Sequence, residues 1–227
     1  MRISQIFSST IGKKLILGIT GLMWASFIVI HLLENLLLLN PDPDPFNKWA
    51  HTLISLGPVI YAAELVLVVS LLFHIFYAVR VTLENNKARS VSYNKSAGKG
   101  GVSRRGLATS SMIYTGILLF IFIILHLLHF KYGSYYEYEV GGVVIRDLYR
   151  TVHEYFSNPL NVTYYIVMMA LLGLHLSHGV WSAFQSLGLN GPRFTPLMTK
   201  IGTGIAVFVA IGFIGIPLFV LLTGGAA

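Results

Sequence analysis

Apolar and polar positions alternate along this chain on the scale of whole segments. Five apolar runs cover residues 15–39, 53–79, 107–128, 162–189 and 201–223, with short polar connections between them. Each holds the roughly 20 apolar residues that a helix needs to cross the hydrocarbon of a bilayer. The pattern predicts an all-α integral membrane bundle of five transmembrane helices, built as one membrane domain over residues 1–227. The stretch Met1 to Lys14 is polar and basic, but the run behind it is longer than a signal h-region and has no small-residue cleavage site. It reads as a retained first span. Between spans 3 and 4, Leu148, Val152, Tyr155 and Phe156 fall near helical spacing, which predicts a short helix over Asp147 to Phe156 lying on the membrane surface. The stretch Ser96 to Gly106 mixes glycines with basic residues and has no preceding strand, so it reads as a flexible connection and not as a phosphate-binding loop.

Composition narrows the functional classes. The chain is 55% hydrophobic and 11% charged, with a mean hydropathy of +0.70, against about 25% charged residues in soluble domains. No length remains for a soluble catalytic domain. The absence of cysteine excludes disulfides, a thiolate nucleophile, and any iron–sulfur cluster or haem held through cysteine. Of the sixteen Lys and Arg, Arg2, Lys13, Lys14, seven between Arg80 and Arg105, Arg193 and Lys200 fall on one face. Lys48, Lys131, Arg146 and Arg150 fall on the other, among most of the acidic residues. The positive-inside rule then places the N-terminus in the cytoplasm and the C-terminus outside. The net charge of +7 is what this topology requires. It calls for no nucleic acid, and the Arg80 to Arg105 loop is a candidate docking surface for a partner protein.

Six of the eight histidines, His31, His74, His126, His129, His175 and His178, lie inside the predicted spans. Ionisable groups at membrane depth are costly and mark functional sites by default. Spans 1 to 4 each carry at least one of them, and span 5 carries none. A buried imidazole must satisfy two ring nitrogens, and binding a metal through one while hydrogen-bonding through the other does so. The lack of membrane-depth Asp or Glu beside these histidines argues against zinc or di-iron; two bis-histidine haems suit the pattern. At about 1.5 Å per residue, His31 and His126 lie roughly 25 and 31 Å from the inner face, and His74 about 9 Å from it. His175 and His178 fall at about 15 to 21 Å and 10 to 16 Å, so depth pairs His31 with His126 but leaves the span 4 partner of His74 open. The two centres would be roughly 10 to 20 Å apart along the membrane normal. Ser70, one turn before His74, is placed to fix its tautomer or, the commoner role of a membrane serine, to pack one helix against another. Glu34 follows His31 as an interfacial carboxylate or a proton carrier. His51 and His153 read as solvated.

At these residues the chain resembles the cytochrome b membrane-anchor subunits of succinate dehydrogenase and fumarate reductase (complex II), in their five-helix, di-haem form. The matching segments are Thr20-Gly21, His31-Leu-Leu and Asn35-Leu36; His74 with Arg80; and Gly116 with His126-Leu-Leu-His-Phe130. They continue from Asp147-Leu-Tyr through Asn158-Pro159 to His175-Leu-Ser-His-Gly179, Ser182 and Phe184-Gln-Ser-Leu-Gly188. The resemblance covers essentially the whole chain. It implies axial ligands at His31 and His126 for an outer haem and at His74 and His175 for an inner one, with His178 in a supporting position. It further implies a flavoprotein (FAD) subunit and an iron–sulfur subunit as cytoplasmic partners, menaquinone in the lipid, and a bacterial-type cytoplasmic membrane. Glu34 stands where many such subunits have a small glycine. The implied function is electron transfer between the iron–sulfur subunit and quinone within succinate:quinone oxidoreductase, in the respiratory chain and the tricarboxylic acid cycle. The chain would be non-catalytic alone. The alternatives are a haem-b quinol-oxidising anchor of another respiratory complex, and a haem-free transporter or scaffold.

Overall fold

The computed structural model describes residues 9–87, 107–189 and 191–223. The expectations for the Ser96 to Gly106 connection and for the cations between Ala88 and Arg105 lie outside the described residues. Helix α1 (Thr10–Asn35) runs into a 3-10 turn (Leu36–Leu39), and α2 (Asp44–Ser55) and α3 (Pro58–Lys87) follow. Next come α4 (Leu107–His126), a π turn (Leu127–Lys131), strands β1 (Glu137–Val140) and β2 (Val143–Arg146), α5 (Leu148–Phe156), α6 (Pro159–Ser186) and α7 (Phe194–Thr223).

Five segments are long and apolar enough to cross a membrane: Thr10–Leu39, Pro58–Lys87, Ser111–Lys131, Pro159–Ser186 and Phe194–Thr223. The chain is a multi-pass membrane protein. Its helices turn large apolar side chains outward, among them Val66, Leu72 and Phe76 of α3, which suits hydrocarbon as the surrounding solvent. Every span shifts by several residues at one end or both relative to the hydropathy reading, and two of the shifts have a local cause. Residues 53–55 close α2, because Gly57 takes a left-handed φ of 55° and Pro58 opens a new helix at a position where its missing N–H costs nothing. The last span begins at Phe194, since Pro196 is tolerated in a first helical turn.

The described residues form two compact units. The first draws on Met1–Phe27, Val66–Gly116 and Leu174–Val207, the second on Ile28–Leu65, Ile117–Gly173 and Phe208–Ala227. In the first unit Lys13, 7% exposed, donates to both carboxylate oxygens of Glu84 at 2.6 and 2.8 Å, tying the start of α1 to the end of α3. Close backbone approach needs glycine here: a Cβ on Gly18 would stand 3.3 Å from the Ala183 carbonyl oxygen, and one on Gly202 3.2 Å from the Trp181 nitrogen.

The second unit carries a polar cap. The antiparallel pair β1–β2, with Val140 opposite Val143, turns through Gly141 and Gly142 at φ 58° and 79°, the left-handed pair that a two-residue hairpin demands. Asp147 caps α5, accepting from the Arg150 backbone N–H at 3.0 Å. Asn47 of α2 is fully buried; it donates to Asp147 at 2.8 Å and accepts from the Tyr149 N–H at 2.9 Å. Arg146 donates to the carbonyls of Phe130, Lys131 and Ser134, closing off the end of the π turn, and Lys131 pairs with Glu64. The expected surface helix is thus present, but His153 on it is not solvated. It is 7% exposed, stacked on Tyr149 with ring centroids 3.8 Å apart, and its Nδ1 lies 3.0 Å from the Tyr149 carbonyl. The spacing reading missed this because the ring is covered by its own helix one turn back.

Candidate functional site

The six membrane histidines divide three and three between the units: His74, His175 and His178 in the first, His31, His126 and His129 in the second. Among the described residues no group of three or more His, Cys, Asp or Glu converges on a common point.

In the first unit, His74 on α3 and His175 on α6 are near enough to interact electrostatically. Each meets a Thr-Gly dipeptide on another helix. Thr20 Oγ1 of α1 is 3.2 Å from His74 Nδ1, and Thr115 Oγ1 of α4 is 3.0 Å from His175 Nδ1. The adjacent glycines make room for the rings: a Cβ on Gly21 would stand 3.2 Å from His74 Cε1, and one on Gly116 3.6 Å from His175 Cε1. Of the two roles open to Ser70 the structure shows the packing one: it accepts from Trp24 Nε1 at 3.0 Å and donates to the Leu67 carbonyl at 2.8 Å. It braces α3 against α1. His178 packs edge-on against Trp181, centroids 5.3 Å apart. Thr20 and Thr115 are the residues that the sequence reading missed. The signal that could have found them is the repeated Thr-Gly at two points of helices that also carry histidine.

In the second unit, the rings of His31 on α1 and His126 on α4 stand at 90° with centroids 5.9 Å apart. Phe213, with its centroid 5.9 Å from that of His31, and Phe122, 5.6 Å from that of His126, wall the pair. The Tyr165 hydroxyl is 3.3 Å from His126 Nδ1. Asn35 Nδ2 lies within 3.4 Å of both His31 ring nitrogens and donates to the His31 carbonyl at 2.7 Å. Glu34 Oε2 lies 3.9 Å from His31 Nδ1. A carboxylate therefore does stand beside one histidine, three residues along the same helix face, where the sequence reading of the set had counted none. Leu32, completely buried, fills the space left by Gly212, on which a Cβ would stand 2.7 Å from both Leu32 methyls.

His129, a turn beyond His126, has a buried Nδ1 without a hydrogen-bond partner, and its ring lies 4.6 Å from that of Tyr155, centroid to centroid. It borders a cavity of about 530 Å³ that is also lined by Ser134, Glu154, Tyr155, Asn158 and Asn161. His51 is exposed on α2.

The spacing of the His31–His126 pair suits a metal held by two imidazoles. With metal–nitrogen bonds of about 2 Å, two facing rings place their centroids about 6 Å apart, the spacing seen for His31 and His126. The donor chemistry suits haem iron, which accepts axial imidazole. In the first unit, glycine at 21 and 116 keeps the ring edges free of side-chain bulk.

No family model matches the chain, and no solved structure matches it. The chain is similar to the succinate dehydrogenase cytochrome b558 subunit of Bacillus subtilis (strain 168): 27% of residues are identical over 195 positions, covering 84% of this chain and 85% of that protein.

Proposed function

We propose that this protein is the membrane-anchor cytochrome b subunit of a succinate:quinone oxidoreductase, carrying two b haems as a single membrane domain. His31 and His126 would hold one, and His74 and His175 the other. The observation that carries this reading is the sorting of four membrane histidines, one from each of four helices, into two pairs within separate units. Similarity to a named cytochrome b subunit over 84% of the chain supports it independently. When bound, the haems supply reversible one-electron chemistry.

The chain's own residues supply the rest. Four imidazoles donate to the metals, and hydroxyls of Thr20, Thr115 and Tyr165 engage the far ring nitrogens of three of them. The apolar helices exclude water. The charge distribution orients the N-terminus and the Lys13–Glu84 end toward the cytoplasm, where a flavoprotein and an iron–sulfur subunit would dock. The polar cap then faces outward across a bacterial-type cytoplasmic membrane. In the cavity beside His129 we place the headgroup of a quinone, probed as menaquinone, with the unpartnered His129 Nδ1 reaching one carbonyl oxygen.

A pyridine haemochrome assay on the purified chain tests the reading. The expected result is two haems b per chain, with a sharp α band in the reduced-minus-oxidised spectrum. A haem-free chain sinks it.

A further inference from the structure

Resting on the haem reading, we infer that Thr20 and Thr115 are positioning residues that fix His74 and His175 as Nδ1–H tautomers, so that each presents Nε2 as its metal-binding atom. The hydrogen inventory requires this direction. A threonine hydroxyl has one hydrogen and two lone pairs. Thr20 Oγ1 lies 2.7 Å from the Ile16 carbonyl oxygen, and Thr115 Oγ1 lies 3.0 Å from that of Ser111. A carbonyl brings no hydrogen, so two oxygens at these distances are held together by the hydroxyl's own. That leaves Oγ1 only lone pairs to offer the ring. The hydrogen in each Thr–His contact must therefore come from Nδ1.

Both histidines are held in this way from a different helix. Thr20 on α1 serves a ring on α3, and Thr115 on α4 serves a ring on α6. The neighbouring glycine sets the distance, since each ring reaches its threonine across the bare Cα of Gly21 or Gly116. A third dipeptide of the same kind, Thr203-Gly204 on α7, provides a contrast: a Cβ on Gly204 would meet nothing within 4 Å, and α7 carries no histidine. An acceptor at Nδ1–H raises the electron donation of the imidazole to its metal. Removing it favours the reduced metal.

The test uses the haem-loaded full chain carrying Thr20→Val, Thr115→Val, Thr20→Ser or, as control, Thr203→Val. The readouts are redox titration followed at the α band and the low-spin EPR signals of the oxidised haems. Thr20→Val and Thr115→Val are expected to raise the midpoint potential of one and the same haem and to move its EPR signal. Thr20→Ser restores both, and Thr203→Val moves neither. Wild-type potential and EPR in haem-loaded Thr20→Val and Thr115→Val overturn the inference while leaving the haem reading intact. If Thr20→Val loses a haem, retention in Thr20→Ser supports the role of the hydroxyl, and loss in both overturns it. A wild-type chain without haem overturns the proposed function and this inference together.

Discussion

The two histidine pairs come from different helices, α1 and α4 for one and α3 and α6 for the other, and they are braced differently. Around His74 and His175 the brace is local and repeated: a threonine against Nδ1, a glycine under the ring edge, and one such dipeptide for each histidine. Around His31 and His126 it is heterogeneous, with an aromatic wall, a tyrosine hydroxyl, an amide and a carboxylate, under a cap whose hydrogen bonds span about a hundred residues of sequence. A site braced by neighbours on rigid helices depends on those few atoms. A site under a polar cap depends also on the cap staying folded.

That contrast is broken most severely at the paired histidines themselves. His175→Ala and His126→Ala should each remove one haem and leave the spectrum of the other, so that the haemochrome assay falls from two to one in both cases. Loss of both haems from either change would show that the units do not bind independently. His178→Ala should keep two haems, because His178 packs against Trp181.

Next in size is the packing under Leu32. Gly212→Ala brings a methyl to 2.7 Å from a completely buried side chain and should cost about 1–3 kcal/mol by overpacking. It should perturb the haem of the adjacent His31 and spare the other, as read by resolved EPR signals. The glycines of the first unit should grade with their contacts. Gly21→Ala, at 3.2 Å from His74, should lower haem occupancy more than Gly116→Ala, at 3.6 Å from His175.

The cap gives the next effect. Asn47→Ala leaves the Tyr149 N–H and an Asp147 oxygen without their buried partner, a loss of about 1–3 kcal/mol. Proteolysis or hydrogen exchange over α5 should quicken, with the His74 and His175 haem unchanged. The smallest effect is one of pH. Burial holds His153 below its ordinary value of 6.5, so the unfolded cap takes up the proton first as pH falls. Cap stability is therefore full above pH 6.5 and declines between that value and the lowered folded one. Protection factors in α5, which divide out the intrinsic pH dependence of amide exchange, should fall on mild acidification, and His153→Phe should abolish that fall while keeping a ring on Tyr149.

The sequence disclosed the spans because length and apolarity alone decide whether a helix can cross lipid, and it disclosed the membrane histidines because such residues are costly there. What it hid is instructive. The α2 helix merges into the second apolar run unless the Gly57-Pro58 break is given weight. The hairpin has only four residues per strand, too few for alternation to stand out, although Gly141-Gly142 is a turn signal. Ser70 was the one partner for His74 that spacing within a helix could suggest, beside its commoner role in packing. The structure takes the hydroxyl from Thr20, 54 positions earlier, and no periodicity within one helix reveals a contact between two.

The order of the paired histidines along the chain has a consequence for biosynthesis. A nascent protein leaves the ribosome N-terminus first, so His31 and His126 are both in the bilayer once α4 has been inserted. His74 must wait for α6 to bring His175. The Lys13–Glu84 pair closes earlier still, as soon as α3 is complete, and can hold α1 against α3 while the later helices are being made. On this schedule a truncated chain ending before α6 retains both members of the His31–His126 pair and only His74 of the other.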